Sequence, residues 1–149
     1  MGLVACCDVV LATENASFCL SEVKLGLIPA VISPYVMAAI GERAARRYFL
    51  TAERFDVHTA QRLGLVHEVL SDAPALQAKT DELVKILLQN SPNAVTAAKD
   101  LIYAVSAVKI DDALITETAR RIAKIRASEQ GKQGLSAFLE KRKPDWIVE

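Results

Sequence analysis

The chain has 149 residues, 52% hydrophobic, 24% charged and 5% aromatic, and its 18 basic and 18 acidic residues cancel. So much apolar content excludes an intrinsically disordered chain, which lacks the hydrophobic groups that offset its ordering entropy. The balanced charge shows none of the basic excess by which proteins grip nucleic acid. No apolar run approaches the ~20 residues of a membrane-spanning helix, because residues 2–7 and 9–12 are separated by Asp8 and end at Thr13, Glu14 and Asn15.

The first half alternates short apolar runs with turn signals. Residues 9–12 and 17–20 read as short strands joined through Glu14-Asn15. Gly41 closes a helix built from Tyr35, Val36, Ala39 and Ile40. A second helix over 42–50 sets Glu42 and Arg46 four residues apart, the spacing of a surface ion pair. Asp56 caps a short helix that ends at Leu63, with Gly64 as its stop. Residues 65–70 then read as a strand that carries His67.

From Asp72 onward the texture is helical. Leu76, Leu83, Ile86 and Leu87 form one stripe at helical spacing. Ser91-Pro92 is a cap followed by a proline at the first helical position, which opens a helix to about Val105. Asp111 and Asp112 start another, with Ile115, Ala119, Ile122 and Ile125 on one face. A last helix over 132–141 is stopped by Pro144. The expected organisation is an α/β part over residues 1–70 and a helical part over 71–149.

Three cysteines, Cys6, Cys7 and Cys19, are an odd number with two adjacent, a poor disulfide framework that fits a reducing cytoplasm. No CxxC is present and His58 and His67 stand apart, so no metal is expected. No positively charged segment precedes Gly2, which argues against a secretory signal. Glu22 is the acid that stands out. A carboxylate at a strand end between apolar segments is placed to serve as acid or base. On pattern alone a solvated loop glutamate paired with Lys24 is the plainer account. Arg43, Arg46, Arg47 and Arg54 form a basic cluster that suits phosphates, or a solvated face partnered by Glu42 and Glu53.

The run Leu3-Val4-Ala5-Cys6-Cys7-Asp8-Val9-Val10-Leu11-Ala12, then Ala16-Ser17-Phe18, then Glu22-Val23-Lys24-Leu25-Gly26-Leu27-Ile28-Pro29, resembles the enoyl-CoA hydratase/isomerase (crotonase) family. The likeness continues through Ala39-Ile40-Gly41, the stretch from Leu50 to Phe55 and the stretch from Ala60 to Val66, and ends with the stretch from Gly134 to Pro144. It implies an α/β fold: part of the crotonase ββα superhelix, followed by a helical C-terminal trimerisation region. It further implies an acyl-CoA substrate, no cofactor beyond the coenzyme A of that thioester, and a homo-oligomer that is a trimer or a dimer of trimers.

The family polarises the thioester carbonyl with two backbone N–H groups, and such preorganised donors stabilise the oxygen charge as it develops. By the resemblance Glu22 is the catalytic acid/base of a hydration, and Gly2, Pro29, Phe138 and Lys141 lie along the substrate. Phe138 and Lys141 belong to the last helix, toward the adenine end. The family's other glutamate falls at Gly2, which has no carboxylate, so a two-glutamate mechanism does not carry over. Ala30-Val31-Ile32-Ser33-Pro34-Tyr35 replaces the usual glycine-rich segment, which resembles the branch acting on branched or carboxylated enoyl-CoAs of methylglutaconyl type. The apolar opening at Met1-Gly2-Leu3 fits the C-terminal part of a longer domain whose oxyanion donors precede Met1, and the isolated chain is then expected to be nearly inactive. A non-catalytic oligomerisation or binding fragment, or another crotonase reaction such as acyl-CoA isomerisation, remains open.

Overall fold

The alternating texture of the first half becomes two short sheets in the computed structural model, which describes residues 1–147. β1 (Leu11–Thr13) pairs in parallel with β4 (Glu68–Leu70), in the register Leu11 to Glu68, and β2 (Ser17–Phe18) pairs antiparallel with β3 (Phe55–Asp56). Helices fill the rest: α1 (Gly2–Ala5), α2 (Ser33–Thr51), α3 (Val57–Arg62), α4 (Ala73–Leu88), α5 (Pro92–Val105), α6 (Asp112–Ala127) and α7 (Glu129–Leu139). By its contacts the chain divides into two units, Met1–Asp81 and Glu82–Glu149.

In the first unit α2 supplies the centre of the core. Val36, Ile40, Ala45 and Tyr48 are buried on it, together with Ala12, Leu20, Phe55, Val57, Ala60, Leu65 and Val66. Tyr48 and Phe18 flank the Phe55 ring, with centroids 4.2 and 5.7 Å away. Such aromatic contacts add to the burial of apolar area, the main favourable term here. α2 is not one straight helix. Gly41 sits at φ 76°, ψ 158°, a break between two helical stretches in a region of backbone space essentially reserved for glycine.

α3 begins as its sequence predicts. The Asp56 carboxylate accepts the Thr59 N–H at 2.7 Å, and that bond lowers its pKa below the usual carboxylate range. The helix closes in a Schellman turn: Leu65 N–H donates to Ala60 O at 2.9 Å and Gly64 N–H to Gln61 O at 3.0 Å, with Gly64 at φ 85°. The strand expected over 65–70 is shorter. Leu65 and Val66 are core residues of the exit turn, and β4 begins only at Glu68. His67 therefore lies before the strand, where its N–H donates to Val10 O at 2.9 Å and its Nδ1 accepts the Val10 N–H at 3.0 Å.

The second unit is helical. Ser91 caps α5 by accepting the Ala94 N–H, and Asp111 caps α6 by accepting the Leu114 N–H. The last helix starts at Glu129, three residues earlier than its sequence pattern suggests, because Ser128 accepts the Gly131 N–H at 3.1 Å. It also ends sooner, at Leu139, so Lys141 is not helical but left-handed at φ 55°. Among the described residues no helix is long and apolar enough to cross a membrane.

Candidate active site

Glu22 opens a tight 3-10 turn, Glu22–Leu25, that follows Leu20 of the core. The turn is closed by the Lys24 N–H donating to Ser21 O at 3.0 Å and the Leu27 N–H donating to Glu22 O at 3.1 Å. The expected pairing with Lys24 does not form. Instead Glu22 Oε2 is shielded from solvent and has no hydrogen-bond partner. Withdrawing a polar oxygen from water without a donor costs roughly 1–3 kcal/mol, more for a charged one. Native folds leave few such atoms, and each calls for an explanation, a catalytic role or a bound water among them.

The segment after the turn is apolar and bends sharply, with the Ala30 N–H donating to Ile28 O at 2.8 Å. Pro29 is buried there. With Val23, Ile28, Phe49 and Leu50 it walls a cleft of about 230 Å³, and the Ser33 hydroxyl in the same cleft is turned back onto Ala30 O at 2.9 Å. Gly2 stands in α1 against Ile32; a Cβ on Gly2 would overlap Ile32 Cγ2. α1 and the Glu22 turn both pack on α2, and Pro29 lies in the loop that enters it. One helix thus supports all three positions. Phe138 and Lys141 belong to the second unit, where both are exposed, Phe138 to 80%.

The basic cluster splits. Arg47 makes a two-toothed bond to Glu53, which raises the arginine's pKa and lowers the carboxylate's, and Arg54 donates to Ser17 Oγ at 2.9 Å. These two arginines have side-chain partners. The ion pair expected between Glu42 and Arg46 is not formed; Arg43 and Arg46 are exposed on a shallow cleft of about 620 Å³ beside Arg47. His58 meets Glu14 at 2.8 Å. Sequence patterns gave no signal for Ile32 beneath Gly2, for the His67–Val10 bridge, or for Gln133, whose carboxamide is buried without a partner.

Known proteins share this fold. The family model described as enoyl-CoA hydratase/isomerase matches residues 1–148. The crystal structure of an enoyl-CoA hydratase from Shewanella pealeana superimposes with a TM-score of 0.92 at 52% identity, over 97% of this chain and 54% of that one. The mevalonyl-coenzyme A hydratase sidH of Aspergillus fumigatus is 33% identical over 97% of this chain and 54% of its own length. The 2,3-dehydroadipyl-CoA hydratase of Escherichia coli is 33% identical over 97% and 56%. The chain spans about half the length of the curated relatives it matches. Its fold is the α/β crotonase fold with a helical C-terminal part, and the chain belongs to the enoyl-CoA hydratase/isomerase family.

Proposed function

We propose that this chain carries the acid/base carboxylate of an enoyl-CoA hydratase, with Glu22 handling the proton as water adds across the double bond of an α,β-unsaturated acyl-CoA. The observation that supports this most directly is the shielded, unpartnered Glu22 Oε2. With no carboxylate at Gly2 and Ile32 filling the space beside it, Glu22 works alone, relaying one proton through the attacking water. Pro29 and the cleft beside it face the acyl portion, and Phe138 and Lys141 serve the adenine end, in the same or a neighbouring subunit. The relatives named for mevalonyl-CoA and 2,3-dehydroadipyl-CoA favour a branched or carboxylated acyl group, of which methylglutaconyl-CoA is an example.

The 149 residues hold Glu22 but, by the family resemblance, not the two N–H donors of the oxyanion hole, so these residues alone turn substrate over slowly. The test fuses them behind the N-terminal half of the Shewanella pealeana relative and follows loss of the conjugated enoyl thioester. Glu22→Gln in that chimera should lower turnover by about 10²–10⁴-fold, the usual worth of a positioned acid/base, with folding intact. Unchanged turnover removes Glu22 from the mechanism. If the chain without the added half matches the chimera, the division of labour proposed here is wrong.

A second reading rests on the exposed apolar residues of the second unit, among them Ile102, Tyr103, Ile122 and Leu139. Surfaces of that kind mark association sites, and self-association as a trimer or a dimer of trimers fits them. Sedimentation of the chain checks this, and a monomer at high concentration refutes it.

A further inference from the structure

The second unit contains a polar cleft, and the acyl-CoA reading leaves it without a role. It has a volume of about 330 Å³ and is walled by Asn93 at the start of α5, Glu129 and Gln133 on α7, and Asp145 and Trp146 of the segment beyond it. Gln133 has both ends of its carboxamide, Oε1 and Nε2, shielded from solvent and without a hydrogen-bond partner. Its neighbour in the same cleft, Gln130, is fully engaged at its oxygen: Gln130 Oε1 accepts from Ser91 Oγ at 2.6 Å and from the Asn93 N–H at 3.2 Å. The orphan is therefore particular to Gln133, and it is not a general shortage of donors and acceptors in this part of the fold.

Two further features define what such a group would meet. The Trp146 indole is held in place, its Nε1–H donating to Gln89 O at 3.1 Å and its ring resting on Gly134, where a Cβ would come within 2.8 Å of Trp146 Cη2. That leaves a fixed aromatic ring beside the carboxamide. The charges in the cleft wall are carboxylates, Glu129 and Asp145; Arg142 pairs with Asp145 at 3.3 Å, so Glu129 is the charge that disfavours an anion.

We propose that this cleft is a binding site for a neutral, planar carboxamide or lactam. An amide-like edge offers one N–H donor and one C=O acceptor side by side, which complements both orphan atoms of Gln133. A flat ring attached to that edge gains contact with the indole. A carboxylate of the same shape lacks the donor and is repelled by Glu129. The site is independent of Glu22 and of the acyl-CoA reading.

The chain has a single tryptophan and three tyrosines, so emission excited selectively in tryptophan reports this cleft alone. Nicotinamide titrated into the whole chain should give a saturable change in Trp146 emission, and nicotinate under the same conditions should not. Gln133→Met, which removes both polar atoms, should weaken nicotinamide by about tenfold or more, as expected for the loss of two hydrogen bonds. Gln133→Glu keeps an acceptor and should weaken it as well. Circular dichroism of each variant separates lost binding from lost folding. The proposal is overturned if nicotinamide gives no saturable change in a folded wild-type chain, if nicotinate binds as well, or if folded Gln133→Met binds equally. An absence of ligand binding together with a stabilised Gln133→Met would identify the orphan amide as an uncompensated buried group, and that too overturns it.

Discussion

Substituting Gly41 by alanine discriminates between two accounts of α2 because they differ in sign. If residues 33–51 were one continuous helix, Gly41 would be a flexible interior residue, and alanine would stabilise the fold by about 1 kcal/mol. The structure instead places Gly41 at φ 76°, ψ 158°, where a side chain costs of order 1–3 kcal/mol. A Cβ built on Gly41 meets nothing within 4 Å, so no clash or new packing is mixed into the result and the backbone alone sets the cost. At a urea slope of ~1–3 kcal/mol per M for small proteins, the unfolding midpoint of Gly41→Ala should fall by roughly 1 M. Urea denaturation followed by circular dichroism reads this directly. An unchanged or raised midpoint would refute the break, and with it the account of how α2 is built.

Three further outcomes follow from the same structure. Leu20 is 1% exposed at the heart of the first unit, so Leu20→Ala should cost about 2–5 kcal/mol, measured by the same denaturation; a loss under 1 kcal/mol, roughly what a volume-conserving swap costs, would contradict its placement. Ser91 caps α5 and also donates to Gln130; Ser91→Ala should cost about 1 kcal/mol, and a neutral result would remove that cap. Glu117 is held down at about 2, first by its hydrogen bond from Arg120 and also by that from Arg121, against an ordinary 4.5. A lowered folded pKa contributes stability that is complete above 4.5 and disappears as pH falls through about 2. The stability gap between wild type and Glu117→Gln should therefore close over that interval, and salt should narrow it because the pair is exposed. A gap that widens on acidification would reverse the assignment.

What could be read from sequence was mostly local. Asp56 and Ser91 were legible as caps because each needs only a side chain three residues ahead of its own donor, a relation the sequence contains in full; Asp111 was legible, with Asp112, only as a helix start. Ser128 was not, because Gly131 and Gly134 interrupt the periodicity that marks a helix start. Leu65 and Val66 were over-read as strand for a related reason: a short apolar run does not distinguish a strand from a turn buried under a Schellman cap. The candidate site was legible only through the ordered likeness to a family. Nothing in the spacing around Glu22 distinguishes it from a solvated glutamate, since the shielding of Oε2 depends on segments distant in sequence. Gln133 is a polar residue on an amphipathic helix by every local measure, and its isolation is likewise a tertiary fact.

The break at Gly41 ties helix geometry to the candidate site. The loop residue that precedes α2, Ile32, fills the space at Gly2, while the far end of the helix contributes Phe49 and Leu50 to the cleft shared with Val23 and Pro29. Val23 follows Glu22 directly in its 3-10 turn. The angle between the two helical stretches therefore fixes the distance from the Gly2–Ile32 contact to the wall beside Glu22. A catalytic carboxylate is effective only when held to within a fraction of an ångström of its working position. The two-residue strand β2 and a four-residue turn are too short to provide that alone, so the rigidity comes from α2 beneath them. The strain-free glycine at the break lets one helix brace both sides of the site, which a straight helix of the same length would not do.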